Sequence, residues 1–180
     1  ILSLCGMIVL SPLLLILCLA IKIDSPGPIF FRQKRVGIHK QHFNILKFRT
    51  MRIDTPHDMP THMLKDPDQY ITRVGHFLRK TSLDELPQLL NILKGDLSIV
   101  GPRPERPEIA AQYCEEMPEF ALRLQAKAGL TGYAQVYGKY NTTPYDKLQM
   151  DLMYIAHPSL IEDLKIMLAT VKILFMPEST

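Results

Sequence analysis

The chain has 180 residues, of which 47% are apolar, and its 21 Lys and Arg against 18 Asp and Glu give a formal net charge of +3 at pH 7. This length allows one soluble core and a small additional element. The three cysteines, Cys5, Cys18 and Cys114, have neither the number of a disulfide framework nor the spacing of a metal site, which favours a reducing, cytosol-facing compartment.

The chain opens with an uncharged apolar run from Ile1 to Ala20. A straight helix of that length is about 30 Å long, about the thickness of a bilayer's hydrocarbon core. Ser11-Pro12 interrupts the run, and proline inside a helix kinks or breaks it. Two interpretations stay open. One is a kinked spanning helix, which the residues alone favour slightly. The other is a re-entrant helix-break-helix anchor, in which the Ser11 hydroxyl helps to satisfy a carbonyl that Pro12 frees.

The same run bears on processing and on the start of the chain. A signal peptide fits less well, because the run continues into Lys22-Ile23-Asp24 without a small-residue cleavage site. Because the chain opens on Ile1 inside an apolar run, we expect that Ile1 is not a natural terminus.

A basic segment follows the apolar run. Between Lys22 and Arg52 there are eight Lys or Arg and one acid, Asp24. Such a segment attracts anionic lipid headgroups or phosphorylated ligands and marks that flank as cytoplasmic, although a solvated basic face is the alternative. Ser25-Pro26-Gly27-Pro28 then separates the anchor from the rest. We therefore predict a membrane segment at residues 1–23 and one cytosolic domain at residues 24–180.

The segment after this boundary predicts a hairpin and a loop. Aromatic and branched residues in Ile29–Phe31 and Phe43–Phe48, on either side of Gly37, indicate a β-hairpin. Residues 54–68 contain three prolines and no apolar period, which indicates a mobile loop. The loop contains His57, Asp58 and His62, but the histidines are five positions apart and share no helical face, so we predict no metal site there.

The remainder is mostly helical. Apolar spacing predicts four helices, over Thr81–Lys94, Pro118–Lys127, Tyr145–Ala156 and Leu160–Phe175. A stiff proline-rich loop carries Arg103 and Arg106, and Gly129–Gly132 is predicted to be a turn. The last helix is apolar nearly all round, which fits both a membrane interface and a protein core. The predicted fold class is α/β, predominantly helical, with no Walker or Rossmann phosphate loop.

The start of the first of these helices carries the candidate chemistry. Ser82 and Glu85 have the spacing of a capping box, which by itself accounts for both residues. However, a helix start beside Arg79 and near Arg103 also suits a phosphate. The positive potential there would keep Asp84 ionised as a nucleophile. Adjacent acids suit Mg²⁺, which takes few carboxylates and completes its shell with substrate oxygens and water.

Several motifs in order resemble one known family, the bacterial sugar transferases, which are monotopic polyprenyl-phosphate phosphoglycosyl transferases. The resemblance covers nearly the whole chain, and the ordered set of motifs is more specific than any one of them. The runs that carry it are Lys22–Pro28, Lys47–Met51, Ser82–Gln88, Ser98–Glu105, Gly129–Gly132 and Asp163–Ile166.

The resemblance implies roles for particular residues. Ser11-Pro12 matches the family's helix breaker, which favours the re-entrant anchor. Asp84 matches the nucleophile that attacks the β-phosphate of a UDP-sugar, and Glu85 matches its partner acid, so that Glu85 with Asp84 would hold Mg²⁺. The predicted substrate- and phosphate-binding residues are Lys47, Arg49, Arg79, Arg103, Arg106, Lys139 and Asp163.

The resemblance also implies partners and a location. The donor would be a UDP-sugar and the acceptor undecaprenyl phosphate, in contact with membrane lipids at the cytoplasmic face of the bacterial inner membrane. The reaction would release UMP and begin assembly of exopolysaccharide, capsule, O-antigen or a glycoprotein glycan. A homodimer is compatible with the sequence. No nucleic acid is expected, because the basic segment adjoins an apolar anchor and has no recognisable binding fold.

Some positions depart from the family pattern, and two other functions stay open. Ala128 stands where Pro is usual, Tyr133 where Trp is frequent, and Gly138-Lys139 where Gly-Arg-Asn is common. Lys139 keeps the charge without the bidentate fork of Arg. These changes leave the sugar unidentified. The alternatives are a catalytically silent membrane-surface module and a hydrolase that sends the aspartyl intermediate to water.

Overall fold

A computed structural model of the chain describes residues 2–56, 66–139 and 141–175. The predicted loop residues His57, Asp58 and His62 lie outside these ranges. The described part contains eight α-helices and four short β-strands. In chain order they are α1 (Leu2–Asp24), β1 (Phe30–Val36), β2 (His42–Phe48), α2 (Arg73–Thr81), α3 (Gln88–Lys94), β3 (Ser98–Val100), α4 (Pro107–Glu116), α5 (Phe120–Arg123), β4 (Gly129–Thr131), α6 (Tyr133–Tyr137), α7 (Pro144–Ala156) and α8 (Leu160–Phe175).

The chain divides into two compact units. The first unit comprises residues 1–32 and 46–90, and the second comprises residues 33–45 and 91–180. Helix α1 belongs to the first unit. The predicted boundary between residues 23 and 24, with a single domain after it, stays a prediction.

Helix α1 runs through Pro12 as one helix of 23 residues, so the predicted break is not confirmed. Pro12 has no N–H for the Ile8 carbonyl, and the Ser11 hydroxyl donates to that oxygen at 2.7 Å, as predicted. Among the described residues α1 is the one helix long and apolar enough to cross a membrane, judged by length and composition alone. Its mean hydropathy reaches 2.8 over the most apolar window.

The core of the first unit joins α1 to the helix that precedes the candidate catalytic turn. Leu17 and Ile21 of α1 pack with Phe48 of β2 and Leu78 of α2, and Leu78 is completely buried. Each such side chain contributes about 1.5–3 kcal/mol on burial. Other apolar side chains of α1 stay exposed, including Val9 at 75% and Ile23 at 85%. An exposed apolar surface of this kind marks a site of contact with a membrane or with another protein.

The strands form two small sheets. The predicted hairpin is confirmed, because β1 and β2 pair in a two-stranded sheet. In the second unit β3 pairs with β4 in parallel, with Ser98 opposite Gly129 and Val100 opposite Thr131. The prediction of a turn at Gly129–Gly132 was therefore wrong. A Cβ on Gly129 or Gly132 would collide with the backbone of Gly101, so glycine there allows the two chain segments to approach closely.

The core of the second unit is built by α4, α5 and α7 against β1. It consists of Val36, Ala110, Phe120 and Leu148. The predicted helices α7 and α8 are confirmed, and Thr143 caps α7 by accepting from the Asp146 N–H at 3.1 Å. The helix predicted over Pro118–Lys127 is shorter, and α4 was not predicted.

Helix α8 has one buried side and one exposed apolar side. Ile166 is completely buried, and the Thr170 hydroxyl is 2.7 Å from the Thr131 hydroxyl of β4. Leu160 and Leu168, in contrast, are 76% and 72% exposed. Packing in the core is therefore confirmed for one side of the helix, and a membrane interface stays a prediction for the other.

Candidate active site

The acidic pair lies in a tight turn rather than at the start of an α-helix. Asp84 and Glu85 belong to a single 3₁₀ turn, Leu83–Glu85, between α2 and α3. The prediction of one helix over Thr81–Lys94 was wrong here. Pro87 has no N–H to donate to the Leu83 carbonyl four residues earlier, so a single helix cannot run through it intact, and α3 begins at Gln88.

The predicted capping box at Ser82 was also wrong. Ser82 has a left-handed backbone with φ of 55°, and its side chain makes no capping hydrogen bond. Its N–H donates to the Arg79 carbonyl at 3.3 Å, and its carbonyl accepts from the Glu85 N–H at 3.2 Å. A left-handed serine costs of the order of 1 kcal/mol. This strained residue lies two positions before Asp84, and strained backbone is common at functional sites.

Two cations adjoin the acidic pair. The Lys47 ammonium of β2 donates to Glu85 Oε1 at 2.7 Å, with both side chains about four-fifths buried. Arg79, in the last turn of α2, donates from Nε to the Thr50 hydroxyl at 2.9 Å. The structure therefore brings together four predicted site residues, Lys47, Arg79, Asp84 and Glu85, within the first unit. Thr50, which orients Arg79, was not predicted, although it lies within the Lys47–Met51 motif.

The pKa of Asp84 is raised, whereas the sequence predicted that positive potential would keep the carboxyl ionised. Burial raises the pKa of the Asp84 carboxyl above its ordinary value, and Glu85 raises it further, whereas Lys47 and Arg79 lower it. Burial also lowers the pKa of the Arg79 guanidinium, and the charge of Asp84 opposes that effect. Asp84 is thus a partly desolvated carboxyl whose charged form depends on two neighbouring cations.

Arg49 is a buried side chain that holds the backbone after α1. Its side chain is only 6% exposed, and it donates to the carbonyls of Pro28 at 2.6 Å, Ser25 at 2.9 Å and Pro26 at 3.0 Å. These bonds occupy the guanidinium and fix the segment that leaves α1. The side chain therefore serves the fold, and phosphate binding by Arg49 stays a prediction.

Asp24 reinforces this junction. Its carboxylate accepts from the Val74 N–H at 3.0 Å, in the first turn of α2. An acidic acceptor at that position satisfies a backbone donor that has no partner within the helix and complements the helix dipole. The end of α1 is thereby tied to the helix that leads to Ser82. No local pattern predicts this contact, beyond the position of Asp24 in its motif.

The other predicted residues lie in the second unit. Arg103 and Lys139 both line a cavity of about 380 Å³. Arg106 immediately precedes α4. Asp163 accepts from the Tyr154 hydroxyl at 2.6 Å, and burial first, then this bond, raises the pKa of Tyr154. Asp163 is therefore engaged in a contact between α7 and α8.

The acidic pair suits a magnesium ion by its donor chemistry. Mg²⁺ binds proteins through one or two carboxylates and completes its octahedral shell with water and substrate phosphates. Asp84 and Glu85 supply such a pair, one oxygen of Glu85 being paired with Lys47. No group of three or more His, Cys, Asp or Glu side chains gathers among the described residues. The residues present thus fit a magnesium site that substrate oxygens help to complete.

Comparison with known proteins now assigns the family. The sequence pattern described as "Bacterial sugar transferase" matches residues 1–177. The chain belongs to the bacterial sugar transferase family. The family assignment agrees with the resemblance carried by the ordered motifs.

The chain is also similar to curated relatives from several bacteria. It is 48% identical over 168 residues to the UDP-glucose:undecaprenyl-phosphate glucose-1-phosphate transferase of Caulobacter vibrioides, which covers 89% of this chain and 62% of that relative. Identity to the Escherichia coli transferase of the same name is 40% over 170 residues, covering 92% of this chain and 36% of that relative. This bacterial sugar transferase thus spans less than two thirds of the length of either protein.

A relative of more similar length has a name that refers to a pathway. The "Exopolysaccharide production protein PSS" of Rhizobium leguminosarum is 39% identical over 177 residues, covering 94% of this chain and 88% of that relative. Another relative, from Aeromonas hydrophila, is named as a UDP-N-acetylgalactosamine-undecaprenyl-phosphate N-acetylgalactosaminephosphotransferase and is 39% identical over 165 residues.

Proposed function

We propose that this bacterial sugar transferase moves a sugar 1-phosphate from a UDP-sugar onto undecaprenyl phosphate and releases UMP. The observation that carries the proposal is the turn holding Asp84 and Glu85, with Lys47 and Arg79 beside it, in a chain of this family. The names of the relatives from Caulobacter vibrioides and Escherichia coli support the same overall reaction.

In the proposed reaction Asp84 is the nucleophile. Its carboxylate attacks the β-phosphorus of the donor, and the bond from that phosphorus to the bridging oxygen breaks, so UMP leaves with the bridging oxygen. A phosphosugar-aspartate results. A phosphate oxygen of undecaprenyl phosphate then attacks the same phosphorus and expels the Asp84 carboxylate. Atoms and charge balance in each step, and no oxidant or reductant is required.

The neighbouring side chains supply positioning and charge. Phosphoryl transfer depends mainly on alignment and on stabilising the charge on the equatorial and leaving oxygens. Arg79, held by Thr50, and Lys47, held by Glu85, are the cations that support this role. Burial raises the pKa of Asp84 and so disfavours its ionised form, whereas the same two cations lower the pKa and favour the ionised nucleophile. A magnesium ion held by Asp84 and Glu85 would add Lewis-acid neutralisation of the donor diphosphate.

The membrane arrangement belongs to the same proposal. The exposed apolar surface of α1 and the basic segment that follows it support attachment at the cytoplasmic face of the inner membrane. We propose that in the membrane α1 bends at Ser11-Pro12, where Pro12 offers the Ile8 carbonyl no helical donor, so that both ends of α1 lie on that face and Ser11-Pro12 lies deepest. An acceptor phosphate at the bilayer surface would then meet an enzyme anchored at the same depth. Labelling of cysteines placed at both ends of α1 with a membrane-impermeant reagent tests this topology.

The names of the relatives suggest which donors and which pathway to test first. Their names refer to glucose and N-acetylgalactosamine, so UDP-glucose and UDP-N-acetylgalactosamine are the donors to try first. Exopolysaccharide assembly is the pathway that a relative's name supports. Capsule, O-antigen and glycoprotein glycan assembly, as well as a homodimeric state, stay predictions.

The experiment that tests the proposal is UMP release by purified protein in detergent with Mg²⁺, from a panel of UDP-sugars, with and without undecaprenyl phosphate. We expect sustained UMP release only with the acceptor. UMP release that continues at the same rate without acceptor would instead identify a hydrolase. Folded protein that releases no UMP from any donor would favour a silent membrane-surface module.

A further inference from the structure

Thr50 is a buried residue that contacts both ends of α2. It lies two positions after β2 and is only 8% exposed. Its carbonyl accepts from the N–H of Thr72, the N-cap of α2, at 3.0 Å. Its hydroxyl accepts from Nε of Arg79, in the last turn of α2, at 2.9 Å. One residue outside the helix thus holds the start of α2 and the guanidinium at its end.

Between these two points α2 lies in direct backbone contact with Thr50. A Cβ on Gly75 would overlap the Thr50 carbonyl, so glycine allows the helix to approach this closely. Three residues further along, Leu78 is completely buried in the cluster that contains Phe48. Close packing inside the first unit, rather than a flexible segment, therefore sets the distance between Thr50 and Arg79.

The bond to Thr50 uses only one of the three nitrogens of the Arg79 guanidinium. Within residues 2–56, 66–139 and 141–175, Nη1 and Nη2 form no hydrogen bond or ion pair. These two nitrogens form a planar fork that can donate to two oxygens of one phosphate group. The fork is within electrostatic range of Asp84, because burial lowers the pKa of the guanidinium and the charge of Asp84 raises it again.

Holding Nε prepares this fork for a phosphate. Arg79 is an exposed residue, and a free arginine side chain has about 2 kcal/mol of rotamer entropy that it loses when a ligand immobilises it. A hydrogen bond to a buried acceptor restricts the side chain before the ligand arrives. Phosphoryl transfer gains most from groups that are already aligned with the charge of the transition state.

We infer that Thr50 is a positioning residue of the transfer reaction, which acts through Arg79 and does not itself contact the substrate. Its hydroxyl holds Nε of Arg79 so that Nη1 and Nη2 meet oxygens of the phosphate that is transferred beside Asp84. The inference rests on the proposed function, because that function brings the phosphate to Asp84.

The first test compares three variants in the UMP-release assay. Thr50→Val keeps the shape of the side chain but removes the acceptor oxygen. It should lower kcat about 10-fold and change KM by less than about 2-fold, as expected when an interaction of the transition state is lost. Thr50→Ser keeps the hydroxyl and should retain at least about half of the wild-type kcat. Thr55→Val is the matched control and should keep kcat, because Thr55 is also 8% exposed and its hydroxyl donates to the Arg52 carbonyl instead.

A double-mutant cycle separates positioning from a general effect on the fold. Arg79→Met removes the guanidinium, so Thr50→Val in that background should lower kcat by less than about a further 2-fold. A residue that served the fold alone would lower kcat by the same factor in both backgrounds. A further 10-fold loss in the double variant would therefore overturn the inference.

NMR of the Arg79 side chain tests the contact without turnover. The N–H signal of Arg79 Nε is assigned by its absence in Arg79→Met. Its exchange with water should be slow in the wild-type protein and in Thr50→Ser, and about 5-fold faster in Thr50→Val. Thr50→Ala also lacks the acceptor oxygen and should behave in the same way, so it takes the place of Thr50→Val if that variant does not fold.

The outcomes distinguish the inference from the proposed function. A normal kcat in folded Thr50→Val protein would overturn the inference and leave the proposed function intact, as would equal exchange of the Nε proton in that variant and the wild type. Slow exchange in the wild type, together with no UMP release from any UDP-sugar, would contradict the proposed function, while the hold of Thr50 on Arg79 would stand.

Discussion

Arg49 offers a direct test of whether the segment leaving α1 is held by one buried side chain. Arg49→Ala removes three hydrogen bonds from a guanidinium to backbone carbonyls, at 2.6, 2.9 and 3.0 Å. Hydrogen bonds from charged groups contribute about 1.5–3 kcal/mol each, so three set an upper bound of roughly 5–9 kcal/mol. Because water reaches some of the carbonyls once the side chain is gone, we expect a loss of about 3–4 kcal/mol.

Thermal unfolding in detergent, followed by circular dichroism, measures this loss. For a chain of this size 1 kcal/mol corresponds to a shift of about 2–4 °C, so Arg49→Ala should lower Tm by roughly 10 °C. Arg49→Lys keeps the charge but loses the planar fork, and about half of the effect should remain. Arg52→Ala is the control, since Arg52 is 56% exposed and paired with an exposed Asp54, and its loss should cost less than about 1 kcal/mol. A normal Tm in Arg49→Ala with a large fall in UMP release would refute the structural role and restore the predicted phosphate contact.

Four further variants test charged groups in the two units. Asp84→Asn should abolish turnover yet raise Tm, because burial raises the folded-state pKa of Asp84 and the ionised carboxyl destabilises the fold. The Tm gain should grow as the pH rises above about 4, the ordinary pKa of Asp, and a gain confined to acidic pH would contradict this sign. Glu85→Gln should lower kcat at least 10-fold and weaken the response to Mg²⁺ titration, and an unchanged Mg²⁺ dependence would remove Glu85 from the metal site. Asp151→Asn removes the carboxylate charge that lies 2.6 Å from buried Arg123, leaving Glu105 at 3.9 Å as the nearest acid, and should cost about 3 kcal/mol in thermal unfolding, whereas Asp151→Leu with Arg123→Met should recover most of it. An equally large loss in the double variant would argue against a desolvated ion pair.

The elements that the sequence predicted well are those whose signal is local and repeated. Helices α7 and α8 are long enough to show a 3.6-residue period, and the hairpin follows from two runs of aromatic and branched residues. Strands β3 and β4 have three residues each, too few for any period, and they pair across about 30 residues. Such a pairing depends on tertiary contacts, so Gly129–Thr131 could only be interpreted as a turn.

The acidic turn shows where local rules fail at a functional site. Ser82 and Glu85 have the spacing of a capping box, but the backbone at Ser82 is left-handed and Pro87 delays α3. The residue pattern at positions 82–85 was consistent with a helix start, but the structure has a strained turn there instead. The acids and their two cations were nevertheless predicted, because their residue types and order match the family's motifs.

The hydrogen-bond partners of the buried arginines could not be predicted from the sequence. Arg49 lies in the same motif as Lys47, and a basic residue in a phosphate-binding motif is naturally interpreted as a ligand. Only the three carbonyl partners reveal that it holds the backbone. Arg123 was not predicted for the converse reason, since its partners Asp151 and the Arg103 carbonyl are 28 and 20 residues away in the chain.

The central claim is that Asp84 becomes covalently linked to the phosphosugar, and mass spectrometry of the protein tests it most directly. The protein is mixed with its UDP-sugar and Mg²⁺ without acceptor, quenched, digested and analysed. We predict a mass increase of one sugar phosphate on the peptide that contains Asp84, its loss after addition of undecaprenyl phosphate, and its absence in Asp84→Asn. A protein that transfers the sugar phosphate efficiently yet never carries this adduct, and releases UMP only when donor and acceptor are both bound, would contradict the account.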